Sequence, residues 1–182
     1  MSTKIFGITG NVYSGKSEFC SAFSRNTFTL HKGDRAVHEE LDYYMNVTSP
    51  HNYAIWLKEG LHQEVTGKFC NHIADVIERK IDFYTKEGFD FVLFDWFLLP
   101  YVDAWDSFDK RIVITADDET RVQRRLATFT PEQREATDLV ALRAQMQDDK
   151  FLPANLKYDL LVENNGNDNK HSIDQAIQSL IN

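Results

Sequence analysis

Lys4-Ile5-Phe6-Gly7-Ile8-Thr9-Gly10-Asn11-Val12-Tyr13-Ser14-Gly15-Lys16-Ser17 decides the fold of this chain. The first six residues are a short, nearly continuous apolar run, the form of a strand buried on both faces. The last eight match G-x-x-x-x-G-K-[ST] in full. Residues 17–25 carry a helical pattern, so the glycines stand between a strand and a helix. That context gives the motif its chemistry. A chain of phosphates carries several negative charges and needs many convergent donors. Successive backbone N–H groups of such a loop form an anion nest, and the helix N-terminus adds its partial positive charge. Gly10 and Gly15 permit positive φ and a close backbone approach. Lys16 can reach the β- and γ-phosphates, and the Ser17 hydroxyl is a hard oxygen ligand for Mg²⁺. Gly10, Asn11, Tyr13, Ser14, Gly15, Lys16, Ser17 and Glu18 are therefore the expected nucleotide-binding residues, with ATP and Mg²⁺ as the expected cofactors. The alternative is a chance match in a turn. The same loop also serves switches and motors, so catalysis needs further residues.

Outward from this stretch, residues 89–95 (FDFVLFD), 111–115 (RIVIT) and 158–163 (YDLLVE) read as further buried strands, with 28–30 as a shorter fifth. Helical patterns alternate with them. The longest runs over 61–86, with Leu61, Val65, Phe69, Ile73, Ile77, Ile81 and Tyr84 at spacings near four and Gly88 beyond its end. Shorter patterns cover 35–45 and the segment after Pro50. Thr130-Pro131-Glu132-Gln133 is a capping box that opens a helix to about residue 147, and Ser172 with Gln175 opens a C-terminal helix. Strands alternating with helices predict an α/β fold: three layers, a five-stranded, mostly parallel sheet with helices on both faces, and a helical lid. One domain is expected over 1–182, with an acceptor-binding helical region near 35–87 and the lid near 117–147.

Composition narrows the function. The 182 residues carry a net charge of −8, which repels phosphate backbones and argues against nucleic-acid binding. No apolar run approaches the ~20 residues of a spanning helix. The two cysteines, Cys20 and Cys70, lie far apart and make no metal spacing. A cytoplasmic protein with no membrane partner is expected, as a monomer or weak homo-oligomer.

Several residues outside the loop could carry chemistry. Asp34 follows the short second strand, at the carboxyl edge of a parallel sheet where ligands bind. It is either a base for an attacking hydroxyl or the N-cap of the next helix. Asp95 closes an apolar strand, where a carboxylate beside a phosphate loop holds Mg²⁺; the alternative is a strand-end turn. Arg121, Arg124 and Arg125 share one helix face. They either form a solvated basic face or close over ATP, and Arg124 is the one singled out for catalysis, with Arg143 and Gln145 as lesser candidates. His62 opens the long helix near the acceptor region. Trp56, Trp96 and Trp105 read as core or pocket wall.

These motifs together resemble the dephospho-coenzyme A kinases, within the P-loop nucleotide kinases. ITGNVYSGKS, the acidic position at Asp34, LHQEV (61–65), FDWFLLP (94–100), ETRVQRRL (119–126) with ALRAQ (141–145), and YDLLVENNG (158–166) carry the likeness over most of the chain. The resemblance implies Asp34 as the base, with Lys16 and Arg124 as the other catalytic residues. It places Asp34, His62 and Asp95 on the acceptor side, Ser17 and Asp95 on the metal, and Asn165 in the turn beside adenine. It departs from the family at Lys32, Gln63, Phe97, Tyr101 and Thr128, and at Asn11 and Tyr13 in the loop. The phosphate half is thus kept better than the acceptor half. The expected activity is ATP-dependent phosphorylation of a small molecule, foremost the ribose 3′-hydroxyl of dephospho-coenzyme A. A nucleoside or deoxynucleoside monophosphate kinase and a nucleotide-binding regulatory protein are the alternatives.

Overall fold

The structure, a computed structural model, describes residues 3–24, 30–32, 62–97, 99–148, 152–165 and 169–181. Five parallel strands form one sheet in the order β2-β3-β1-β4-β5. They are β1 (Lys4–Thr9), β2 (Leu30–Lys32), β3 (Phe91–Asp95), β4 (Lys110–Thr115) and β5 (Leu160–Glu163). Among the described residues six α-helices accompany them: α1 (Lys16–Phe23), α2 (His62–Lys86), α3 (Asp118–Ala127), α4 (Pro131–Glu135), α5 (Leu139–Asp148) and α6 (Asn169–Ile181). The strand at 89–95 starts two residues later than expected, and the short second strand lies at Leu30–Lys32. The patterns at 35–45 and after Pro50 lie outside the described residues, as does Cys70's side chain; Cys20 is a buried free thiol.

Period-2 alternation sorts the strand side chains into two cores. Phe6, Ile8, Phe91, Leu93, Ile112 and Ile114 face α1 and α6, meeting Phe19, Phe23, Ile173 and Ile177. Ile5, Val92 and Phe94 face the other way, against Ala74, Ile77 and Tyr84 of α2 and the segment from Trp96 to Phe108. Gly7 lies on that second face, where a Cβ would come within 2.5 Å of the Phe108 ring. Trp105 is buried there with Nε1 donating to Lys157 O at 3.0 Å, so Trp96 and Trp105 serve the core. The three layers follow from this alternation.

Two helix boundaries differ from the sequence reading. The capping box at Thr130 and Gln133 forms, with both reciprocal bonds present. The helix it opens, however, does not run to residue 147. It stops after Glu135, and Asp138 starts a new helix by accepting from Val140 N at 2.8 Å and Ala141 N at 3.2 Å. A short acceptor side chain competing for backbone donors is what ends one helix and caps the next. The C-terminal helix begins at Asn169, so Ser172 lies within its first turn as an exposed residue and not at its cap. Ile173, Ala176, Ile177 and Leu180 anchor this helix to the sheet, and helical conformation extends upstream of that anchor.

Candidate nucleotide site

β1 and β3 pair with Ile8 opposite Asp95, so both strands end at one edge of the sheet. The loop after β1 and the carboxylate that closes β3 therefore emerge side by side. Across that edge Ser17 Oγ donates to Asp95 Oδ2 at 3.3 Å. Asp95 is 8% exposed, while Ser17 is open to solvent.

The loop is held in a shape few sequences allow. Gly10 sits at φ 152 and Gly15 at φ 100. A Cβ on Gly10 would lie 2.1 Å from the Ile114 carbonyl oxygen, and one on Gly15 would lie 1.9 Å from Asn164 Nδ2. Tyr13 is also left-handed, at φ 63, although it carries a side chain. Such a residue persists only where its surroundings over-determine it. Here its ring packs against Val122, Leu142 and Met146, and Arg125 Nη1 donates to its hydroxyl. The Arg125 guanidinium lies 5.3 Å from the Tyr13 ring centre and 5.2 Å from that of Phe129.

Every carbonyl from Gly10 to Ser14 has a donor. Lys16 Nζ donates to Gly10 O at 3.0 Å and Asn11 O at 3.1 Å. Arg121 Nε donates to Val12 O at 2.9 Å. Arg124 Nη1 donates to Tyr13 O at 3.2 Å and Ser14 O at 3.0 Å, and Asn164 Nδ2 also donates to Ser14 O, at 2.9 Å. In front, the N–H groups of Lys16, Ser17 and Glu18 open α1 and have no intrahelical acceptor, as in any helix first turn. Phe19 N is the first amide to bond back, to Gly15 O. The donor set suits a polyphosphate: a helix N-terminus, a lysine and a loop with its carbonyls turned away. The hydroxyl of Ser17 beside the Asp95 carboxylate suits Mg²⁺, a hard cation that takes oxygen ligands. Burial pushes the Lys16 ammonium below its ordinary value of 10.5, and the Asp95 carboxylate opposes that fall.

The three arginines of the expected face all reach the loop: Arg121 to Val12 O, Arg124 to Tyr13 O and Ser14 O, and Arg125 to the Tyr13 hydroxyl. Arg121 is wholly buried. Arg124 is committed to the loop carbonyls and to Asn164 O at 3.1 Å, with Glu18 Oε2 4.0 Å away. In this structure Arg124, expected from the sequence as a catalytic lid residue, donates to the loop carbonyls of Tyr13 and Ser14. Glu18 Oε2 lies 3.5 Å from Asn164 Nδ2, on the side of the loop held by Arg124. Asn165 Oδ1 accepts from Asp117 N at 2.7 Å and so pins the start of α3, where Asp117 caps Thr120 N. Arg143 pairs with Glu119 at 3.2 Å on the exposed outer side of the lid helices, and Gln145 is exposed. Asp34 lies outside the described residues, and so does the His62 side chain, although His62 is the first residue of α2.

Sequence reasoning placed Arg121 with Arg124 and Arg125 on a face meeting solvent or ATP, and it singled out Asn165 but not Asn164 in the turn after the last strand. β5 pairs with β4 so that Glu163 lies opposite Thr115, which brings Asn164 out at the same sheet edge as the loop. The i, i+3 spacing of Arg121 and Arg124 on a helix leaving that edge was the available signal.

No family model matches the chain, and no curated protein matches it in sequence. Solved structures do. A Thermus thermophilus protein, TT1252, is 16% identical with a TM-score of 0.58, covering 100% of this chain and 97% of that one. Shikimate kinase from Acinetobacter baumannii, solved with shikimate, is 9% identical with a TM-score of 0.56, covering 100% and 93%. Dephospho-CoA kinase from Campylobacter jejuni is 16% identical with a TM-score of 0.51, covering 98% and 97%. Identities this low establish architecture and not acceptor. Among the described residues no helix is long and apolar enough to cross a membrane. With its parallel sheet, its glycine loop between β1 and α1 and these neighbours, the chain has the three-layer P-loop kinase fold.

Proposed function

We propose that this protein transfers the γ-phosphoryl group of ATP to the hydroxyl of a small molecule, foremost the ribose 3′-hydroxyl of dephospho-coenzyme A. The observation that carries the reading is the juxtaposition of Ser17 Oγ and Asp95 at the mouth of a loop whose Val12, Tyr13 and Ser14 carbonyls are bonded by Arg121, Arg124 and Asn164. The acceptor rests on the family-like segments around Asp34, LHQEV, FDWFLLP and YDLLVENNG.

In this reading the N–H groups opening α1 bind the phosphates and Lys16 leaves its loop carbonyls for the transferring group. Ser17 and Asp95 are the residues that would hold Mg²⁺, which when bound neutralises charge on the phosphate oxygens. Asp34 accepts the proton of the acceptor hydroxyl, whose oxygen forms the new P–O bond as the bond to ADP breaks. Arg124 acts as a positioning residue, fixing the loop so that its donors need not reorganise. Asn165 contributes through the α3 cap beside the turn that would face adenine. His62 opens the helix that would border the acceptor. Phosphoryl transfer asks for position and charge neutralisation more than covalent chemistry, so this short roster is sufficient.

Two substitutions separate the roles. Asp95→Asn is expected to raise the Mg²⁺ concentration for half-maximal turnover by about 10–100-fold, the usual effect of removing an outer partner of a bound metal. An unchanged Mg²⁺ dependence removes Asp95 from the metal. Asp34→Asn is expected to lower turnover by about 10²–10⁴-fold while MgATP affinity stays the same. Undiminished turnover shows that another group takes the proton.

The reading is tested by ADP release from MgATP against a panel holding dephospho-coenzyme A and each nucleoside and deoxynucleoside monophosphate. Turnover with dephospho-coenzyme A alone supports the proposal. Turnover with a monophosphate alone keeps the chemistry and replaces the acceptor, and no turnover with any of them counts against a kinase of this substrate class.

A further inference from the structure

Arg121 is the largest wholly buried side chain among the described residues, at 0% exposure. A guanidinium removed from water is costly unless its donors find acceptors. Those acceptors come from two separate parts of the molecule. Nε donates to Val12 O of the phosphate loop at 2.9 Å, and Nη1 donates to Met146 O of α5 at 2.6 Å. Asp118 Oδ1, one turn back on α3, lies 3.2 Å from Nη1 and partly balances the charge.

The Met146 carbonyl lies near the C-terminal end of α5, where the helix dipole is negative. Arg121 thus ties the C-terminal part of α5 to α3. The same group fixes a loop peptide. The chain has no cis peptide bond among the described residues, and in a trans peptide the carbonyl and the following N–H point in opposite directions. Holding Val12 O toward α3 therefore turns the Tyr13 N–H away from α3. One planar fork sets both the end of α5 and the orientation of a loop donor. An apolar contact runs in parallel, since Tyr13 packs against Val122, Leu142 and Met146.

We propose that Arg121 is a positioning residue that couples the two lid helices to the phosphate loop, so that displacement of α5 alters the loop's affinity for polyphosphate. The coupling rests on the nucleotide-binding reading of the loop. α5 enters through its Met146 carbonyl, and the loop answers through Val12. Lysine could not replace this residue, because an ammonium lacks the fork that reaches two carbonyls at fixed angles.

A double-mutant cycle on the full chain tests it, using Arg121→Gln, Leu142→Ala and the double variant. MgATP affinity is read by calorimetry, and amide exchange of residues 10–18 is read without nucleotide. In the wild type, Leu142→Ala is expected to weaken MgATP binding about fivefold and to speed loop exchange. In the Arg121→Gln background the same change is expected to have a clearly smaller effect on both quantities, the remainder passing through the direct contact of Leu142 with Tyr13. Equal factors in both backgrounds overturn the coupling, because a merely structural Arg121 would leave the two effects additive; so does a Leu142→Ala variant with wild-type affinity and exchange. If the wild type fails to bind MgATP, the nucleotide reading fails by itself, and loop exchange across the same cycle still decides the coupling. Should Arg121→Gln not fold, Arg121→Lys takes its place in the cycle with the same criterion.

Discussion

Lys16→Ala is expected to lower MgATP affinity or turnover by about 100-fold or more, while the protein stays folded. The magnitude is that of removing one preorganised charge partner from a transferring phosphoryl group. The sign on stability follows from where the ammonium sits. It lies half-buried against Gly10 O and Asn11 O, and burial lowers its pKa despite the nearby Asp95. A lysine whose folded pKa is below its unfolded value binds fewer protons in the folded state, so its charged form opposes folding at neutral pH. That opposition fades as pH rises toward 10.5. Removing the ammonium removes that opposition, so the variant is at least as stable as the wild type near neutral pH and loses ground to it as pH rises toward 10.5. Thermal melts across that window check the sign, and calorimetry checks the affinity. A variant that binds MgATP as the wild type does would remove Lys16 from the site.

Gly10→Ala is expected to be the most destabilising single-methyl change in the loop, costing about 3 kcal/mol or more. Two costs combine at Gly10. Its φ of 152 suits glycine, and an added Cβ would lie 2.1 Å from the Ile114 carbonyl oxygen. That oxygen belongs to β4, which pairs with β1 and β5 and cannot give way as a flexible side chain can. At this chain length the loss corresponds to a fall of roughly 6–12 °C in Tm. Gly88→Ala is the internal control. Gly88 also has positive φ, at 76, but a Cβ there meets nothing within 4 Å, so only the backbone cost of about 1–2 kcal/mol remains. Melts of the two variants side by side separate the clash from the backbone term. Equal losses would mean that β4 yields and that the close approach does not constrain the loop.

The fold was legible because the strands announce themselves. All but the short β2 are apolar runs with a turn or charge at the end, and β1 falls at Lys4–Thr9 as the run predicts. The long α2 was legible from its spacing of four, and Ile77, Ile81 and Tyr84 do face the core. The helices between residues 118 and 148 were legible in position but not in their breaks, because Asp138 reads as an ordinary polar residue until its neighbours turn toward it.

The loop residues could be named from the motif because a single local stretch supplies them. The rear brace could not. Arg121, Arg124 and Asn164 lie between 109 and 150 residues from the loop atoms they hold, and only the order of strands brings them there. A row of arginines on an amphipathic helix looks the same whether it faces water or a loop's carbonyls. Tyr13 illustrates the converse. It breaks the local preference for glycine at positive φ, and the compensation lies in α3 and α5, which the motif does not contain.

The most direct test of the account is a calorimetric titration of the native protein with ATP, with and without Mg²⁺. The account predicts one site per chain in the presence of Mg²⁺, with a Kd between about 1 μM and 1 mM, and markedly weaker binding when Mg²⁺ is chelated. A flat titration to millimolar MgATP would contradict it, leaving a P-loop kinase fold that does not use its loop for ATP.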